Sequence, residues 1–193
     1  MVPQAVQNVR ISDHRALELI EDVFNKAELP VPRVAINRME PDLNAASSAL
    51  LNYLEIQGGA LEYGEDMLQV IVAHEAGHFF HRHARGVGPI PSAVLESMGF
   101  KLTANAEIEA EKEADDFAAK LFGREPLIKL LKISLERNTH RLEDKEELKR
   151  LNALGELSQA LLGVEWVPAE EQLKSSQEEL IIRIKHQLEG KLA

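Results

Sequence analysis

The stretch His74-Glu75-Ala76-Gly77-His78-Phe79-Phe80-His81-Arg82-His83 holds four of the chain's seven histidines. His74 and His78 are four residues apart, so on a helix they share one face about one turn apart, and two imidazoles so placed converge on a single metal ion. Glu75 follows one position later, about a third of a turn round the axis, within reach of a water on that metal. A cluster of nitrogen ligands with a carboxylate among them is poorly explained by packing alone. The arrangement calls for a helix beneath it and a third ligand from elsewhere.

The helix is legible. Asp66 to Ala73 leads into the motif with Leu68, Ile71 and Val72 at helical spacing, and Gly64 stands before it as a boundary. The charged, histidine-rich continuation to Arg85 and the stop Gly86-Val87-Gly88-Pro89 predict one helix of about five turns. Gly77 inside it costs about 1 kcal/mol relative to alanine, which points to another element crossing closely there.

The third ligand is expected between Glu107 and Leu121, where Ala, Glu, Lys and Leu predict a second helix. Ala110, Ala114, Phe117, Ala118 and Leu121 form its apolar stripe, and most of the intervening carboxylates are expected to be solvated. Glu111 and Asp115 differ, because they lie four apart on a face shared with Ala114 and Ala118. Such a pair can supply one metal ligand and one acceptor for a ligand histidine's second N–H. Composition and spacing leave Glu107, Glu109, Glu111 and Glu113 all open as the third ligand.

Two stretches in combination resemble a known family. His74-Glu-Ala-Gly-His78-x-x-x-Arg82-His83 and Glu111-x-Glu113-Ala-Asp115-x-Phe117-Ala-x-x-Leu121-x-Gly123 are similar to the gluzincin zinc endopeptidases, in particular the heat-shock protease HtpX, the CAAX prenyl endopeptidases and their soluble minigluzincin relatives. Weaker matches follow in the same order. Asn44-Ala45 resembles the family's entry to its substrate-binding edge strand, Ile56 to Leu61 the strand and turn before the active-site helix, and Thr139-His140 a downstream Thr-His-Pro whose proline is Arg141 here. The resemblance spans roughly residues 12 to 151. It implies that His74, His78 and Glu111 bind Zn²⁺, that Glu75 is the catalytic base, that Asp115 orients a ligand histidine, and that His140 stands near the metal. Glu111 follows His78 by 33 positions, too close for the membrane hairpins of HtpX-type members. That spacing also suits the IrrE/ImmA-like metallopeptidases, which make a regulatory protease that cleaves one repressor the alternative. A non-catalytic, zinc-stabilised binding protein is a third reading, against which an intact Glu75 argues.

The whole chain agrees with a soluble enzyme. Its 193 residues suffice for one real core, and 45% hydrophobic with 28% charged residues is ordinary globular composition. A net charge of −10 argues against nucleic acid and anionic membrane surfaces as partners. The chain has no cysteine, so a thiolate site and a disulfide framework are excluded. Met1-Val-Pro-Gln4 does not read as a signal peptide and no run approaches a membrane span, which predicts a cytoplasmic protein with a peptide or protein substrate.

Outside the motifs, Ser12 is expected to cap a helix from Asp13 to Leu29 with Leu17, Leu19, Ile20 and Phe24 buried. Val31 to Ile36 and Leu50 to Ile56 read as strands, and the segment Asn44 to Ile56 is expected to form the edge strand beside the active-site helix. From Pro126 onward the chain reads as helical. Its last helix, near Ala169 to Leu188, carries the stripe Leu173, Leu180, Ile181, Ile184 and Leu188. The expected fold is α+β: a small mixed sheet packed against the His74 helix and the Glu111 helix, with a mostly helical C-terminal third. Residues 1–140 are expected to form the catalytic domain and 141–193 a helical extension packed on it. Besides zinc, the reaction needs a donor for developing negative charge, for which His140, Tyr63 and His83 are candidates in that order.

Overall fold

The computed structural model describes residues 10–39, 43, 45–48, 51–81, 104–162 and 166–190. Within them the fold is α+β, with six α-helices and one three-stranded mixed sheet. Helix α1 (Asp13–Lys26) starts where Ser12 accepts a hydrogen bond from the Arg15 amide at 3.2 Å, and it buries Ala16, Leu19, Ile20, Val23 and Phe24. Leu17 points outward, so the expected buried face is rotated to take in Val23 in its place. The helix also ends three residues before the expected Leu29. Glu28 turns left-handed (φ 56°) and the Leu29 amide returns to the Phe24 carbonyl, because Pro30 disfavours a helical residue ahead of it.

Strand β1 (Arg33–Asn37) runs parallel to β3 (Tyr53–Gln57), and β2 (Ala45–Ser48) runs antiparallel to β3 on its other side, in the order β1-β3-β2. The register sets Val34 against Leu54 and Ile36 against Ile56 in one pair, and Ala45 against Ile56 in the other. Leu54 and Ile56 are fully buried, as the alternation in β3 requires. This arrangement corrects one expectation. The strand read at Leu50 to Ile56 is β3, paired on both sides in mid-sheet, so it cannot present an open edge. Among the described residues the two edges are β1 and β2, each paired with β3 alone, and β2 is the one packed against the His74 helix. Its sequence Ala-Ala-Ser-Ser contains no β-branched or aromatic residue, so nothing in the local pattern marked it as a strand. Asn44 lies outside the described residues.

A short 3₁₀ turn (Gly58–Glu62), buried over its first four residues, leads from β3 into α2 (Glu65–His81). Helix α2 is the central element. Met67, Leu68 and every residue from Val70 to His78 are buried, with α1, β2, α3 and α4 packed around it. A helix apolar on all sides is one enclosed by the core, which is why its pattern shows no polar face before the histidines. The rest of the predicted helix to Arg85, the Gly/Pro loop and His83 lie outside the described residues.

Helix α3 (Ala104–Phe122) crosses α2 at Gly77. A β-carbon on Gly77 would sit 2.7 Å from the Ala114 Cα and 3.0 Å from its carbonyl oxygen, so the glycine is the space into which α3 fits. Gly123 (φ 89°) then breaks the chain between α3 and α4 (Arg124–Glu143), a conformation that costs glycine least. Helices α5 (Lys145–Leu162) and α6 (Ala169–Glu189) complete the helical C-terminal part. Helix α6 lies across α4 and α3, joined to α4 by Asn138 Nδ2 donating to Ser176 Oγ and Gln177 Nε2 donating to Thr139 Oγ1. No helix among the described residues is long and apolar enough to cross a membrane.

Candidate metal centre

The crossing at Gly77 brings the two motifs together. His74 and His78 project from α2 toward α3, where Glu111 faces them, and all three are buried. The His74 and His78 Nε2 atoms are 3.1 Å apart with their rings nearly perpendicular. Glu111 Oε2 lies 3.3 Å from His74 Nε2, and Oε1 lies 3.5 Å from His78 Nε2. Ligand atoms bound at about 2.0–2.1 Å to a tetrahedral zinc are separated by roughly 3.4 Å, so these three spacings suit the edges of such a polyhedron. The group could hold a metal ion. Two imidazoles with one carboxylate and no thiolate is a donor set suited to zinc with one position left for water or substrate.

The surrounding groups fix the orientation of the His74 ring. Asp115 is fully buried one turn after Glu111 and accepts from His74 Nδ1 at 2.9 Å, which turns Nε2 toward Glu111 and His78. Burial pushes the His74 imidazole toward lower pKa, but its hydrogen bonds to Asp115 and Glu111 outweigh this and carry it up to about 9. Burial raises the Asp115 carboxyl, yet the Arg183 and His74 hydrogen bonds hold it below its ordinary value.

Glu75 is buried, 1% exposed, and lines the same cavity of about 470 Å³ as His74 and Glu111. That volume falls within the range of small-molecule and peptide side-chain pockets. Leu43, just before β2, and Ile71 line it on one side, with Trp166 and Leu173 on the other. The edge of β2 thus begins beside the cavity that contains the carboxylate and the imidazole.

The structure distinguishes among the candidates. Of the four glutamates in α3, Glu111 alone is buried against the histidines, while Glu107, Glu109 and Glu113 are exposed. Ala45 opens the edge strand. His81 packs its ring near Phe80 and Phe117 and lies 4.0 Å from Glu113, away from the ligand cluster. Tyr63 accepts from Arg137 Nη1 at 3.2 Å. His140 is not brought to the cluster. It sits near the exposed end of α4, 3.8 Å from Glu143, beside a separate surface groove that also contains Arg150 and Glu146. The physical reason is that α4 continues unbroken through Thr139-His140-Arg141. The unbroken helix leaves the imidazole on its exposed surface.

One residue of the site escaped the sequence reading. Arg183 of α6 is buried and forks Asp115, with Nε 2.8 Å from Oδ2 and Nη2 2.8 Å from Oδ1, and its Nη1 reaches Glu111 Oε2 at 2.8 Å. Burial alone would lower its pKa, but Asp115 and Glu111 keep it charged. Its sequence signal is faint: one arginine inside Leu180-Ile-Ile-Arg-Ile184, about seventy residues from its partners. The last helix accordingly buries Ala169, Leu173, Leu180, Arg183 and Gln187, while Ile181 and Leu188, expected in the apolar stripe, are exposed.

The chain matches no protein-family model, no curated protein and no solved structure.

Proposed function

We propose that the protein is a zinc-dependent endopeptidase. The observation that carries this reading is the placement of Glu75, buried and lining one cavity with His74 and Glu111, directly beside three ligand atoms spaced for one metal ion. A metal-stabilised scaffold needs the ligands but has no use for a buried carboxylate at their side.

Zinc, when bound, supplies a Lewis acid that acidifies water and polarises a substrate carbonyl. His74, His78 and Glu111 would hold it, and Asp115 would keep His74 in the tautomer that donates its Nε2 lone pair. Glu75 accepts the proton of the attacking water and returns it to the leaving amine. Substrate is an extended peptide, added along the outer edge of β2, which aligns a scissile carbonyl with the cavity through backbone hydrogen bonds.

The test uses zinc-loaded protein and a mixture of unstructured peptides read by mass spectrometry. Internal cleavage abolished in Glu75→Gln, at unchanged zinc content, is the expected result. A wild-type protein that binds zinc and cleaves nothing, including candidate repressors supplied as folded substrates, would leave the zinc-stabilised binding protein as the correct reading.

A further inference from the structure

We infer that Arg183 is a positioning residue of the metal centre, and that docking of α6 and loading of the metal form one coupled equilibrium. The inference rests on reading His74, His78 and Glu111 as metal ligands. It concerns what their placement demands of an element distant in sequence.

Five contacts connect α6 to the Glu111 helix. Arg183 spans Asp115 with two hydrogen bonds and reaches Glu111 Oε2 with a third, while Glu179, one turn earlier, braces its Nη1 at 3.2 Å. One residue beyond Asp115, the exposed carboxylate of Asp116 accepts from Gln187 Nε2 at 2.9 Å and faces His186 Nε2 at 2.9 Å. Gln187 is itself fully buried and accepts from Arg124. Adjacent carboxylates of α3, Asp115 and Asp116, are therefore both gripped by α6. The third contact of Arg183 falls on the metal-binding carboxylate itself.

The physical consequence follows from burial. Glu111 and Asp115 lie one helical turn apart, 5% and 0% exposed, and two such carboxylates repel each other and lose their hydration. Arg183 is the buried cation that lies against both carboxylates and offsets their repulsion. The fork fixes the Asp115 carboxylate, and the third guanidinium nitrogen holds Glu111 Oε2 while Oε1 lies toward His78. Repulsion between the guanidinium and a dication opposes this effect. The alternative to Arg183, two neighbouring buried carboxylates with no cation between them, is the worse electrostatic state. Whatever undocks α6 therefore weakens the metal site, and by reciprocity a bound metal strengthens the docking of α6.

The experiment measures zinc affinity by chelator competition and hydrogen exchange over residues 169–189, with and without zinc. Arg183→Gln is expected to bind zinc about 10 to 100-fold more weakly, with Arg183→Lys between it and wild type because it keeps the charge and loses the fork. In wild type, zinc is expected to slow exchange across α6, and this slowing shrinks in Arg183→Gln. Asp116→Asn provides a second route, since it loosens α6 through an exposed residue and leaves Arg183 intact. It is expected to lower zinc affinity several-fold and guards against a misfolded Arg183→Gln protein. Unchanged zinc affinity in both variants, or zinc binding that leaves exchange in α6 untouched, overturns the coupling while the metal reading stands. A wild-type protein that binds no zinc overturns the metal reading itself.

Discussion

At the scale of single residues, the site separates ligands from the base, and substitutions should separate them too. Glu75→Gln removes a proton acceptor and no ligand, so zinc content should hold while peptide cleavage falls by about 10² to 10⁴-fold or more. Metal analysis and a cleavage assay on the same preparation check this, and a variant that stays active would end the protease mechanism. Glu111→Gln should lose zinc, whereas Glu113→Gln, on the exposed side of the same helix, should retain it. Gly77 gives a stability test. Alanine there gains about 1 kcal/mol of helix propensity. Its β-carbon would meet backbone at 2.7 Å, and overpacking of that kind costs about 1–3 kcal/mol or more. Gly77→Ala should therefore be destabilised in urea titration and should also separate the two halves of the ligand set. A protein as stable as wild type would show that the α2–α3 crossing is looser than described. The residue scale is also where the sequence was most legible. His74, Glu75 and His78 need only helical periodicity to be brought together. Glu111 needed the tertiary crossing to be chosen over three other glutamates of the same helix.

At the scale of elements, local chemistry accounts for where helices begin and less well for where strands lie. Ser12 caps α1 as its position predicts, and Ser12→Ala should cost about 0.5–2 kcal/mol, read as a lower thermal midpoint with unchanged zinc affinity. The strands are different. The segment Tyr53–Gln57 announces itself by its β-forming residues, yet nothing in it says whether it lies at an edge or in the middle. That is decided by β1 pairing on one side and β2 on the other. Strand β2 has a sequence with no strand preference and owes its conformation to the ladder with β3 and to α2 packed beneath it. The proposed edge binding of substrate can therefore use only Ala45–Ser48 and not the 50–56 region. Ala46→Pro should remove a backbone donor on this strand and raise KM for peptides more than it lowers kcat. Equal effects on the cleavage of all substrates through kcat alone would place substrate elsewhere.

At the scale of the whole molecule, the metal centre joins elements that chain order keeps far apart. A ligand that binds only the folded protein stabilises it by mass action, about 2.7 kcal/mol at a hundred times its dissociation constant and about 4.1 at a thousand times. Chelation should accordingly lower the unfolding midpoint of wild type by several degrees and leave His78→Ala, which lacks a ligand, unmoved. A chelator-insensitive wild type would mean that the three residues form a polar cluster without a metal. The sequence by itself determined the α+β class, the existence of the two motif helices and the pairing of His74 with His78, because these depend on composition and on spacings of three or four residues. Tertiary structure alone decided which glutamate meets the two histidines, which strand is central in the sheet, where His140 falls and that Arg183 contacts the cluster. Each of these depends on side chains meeting across tens of residues, where burial and charge pairing act between elements and no local periodicity records them.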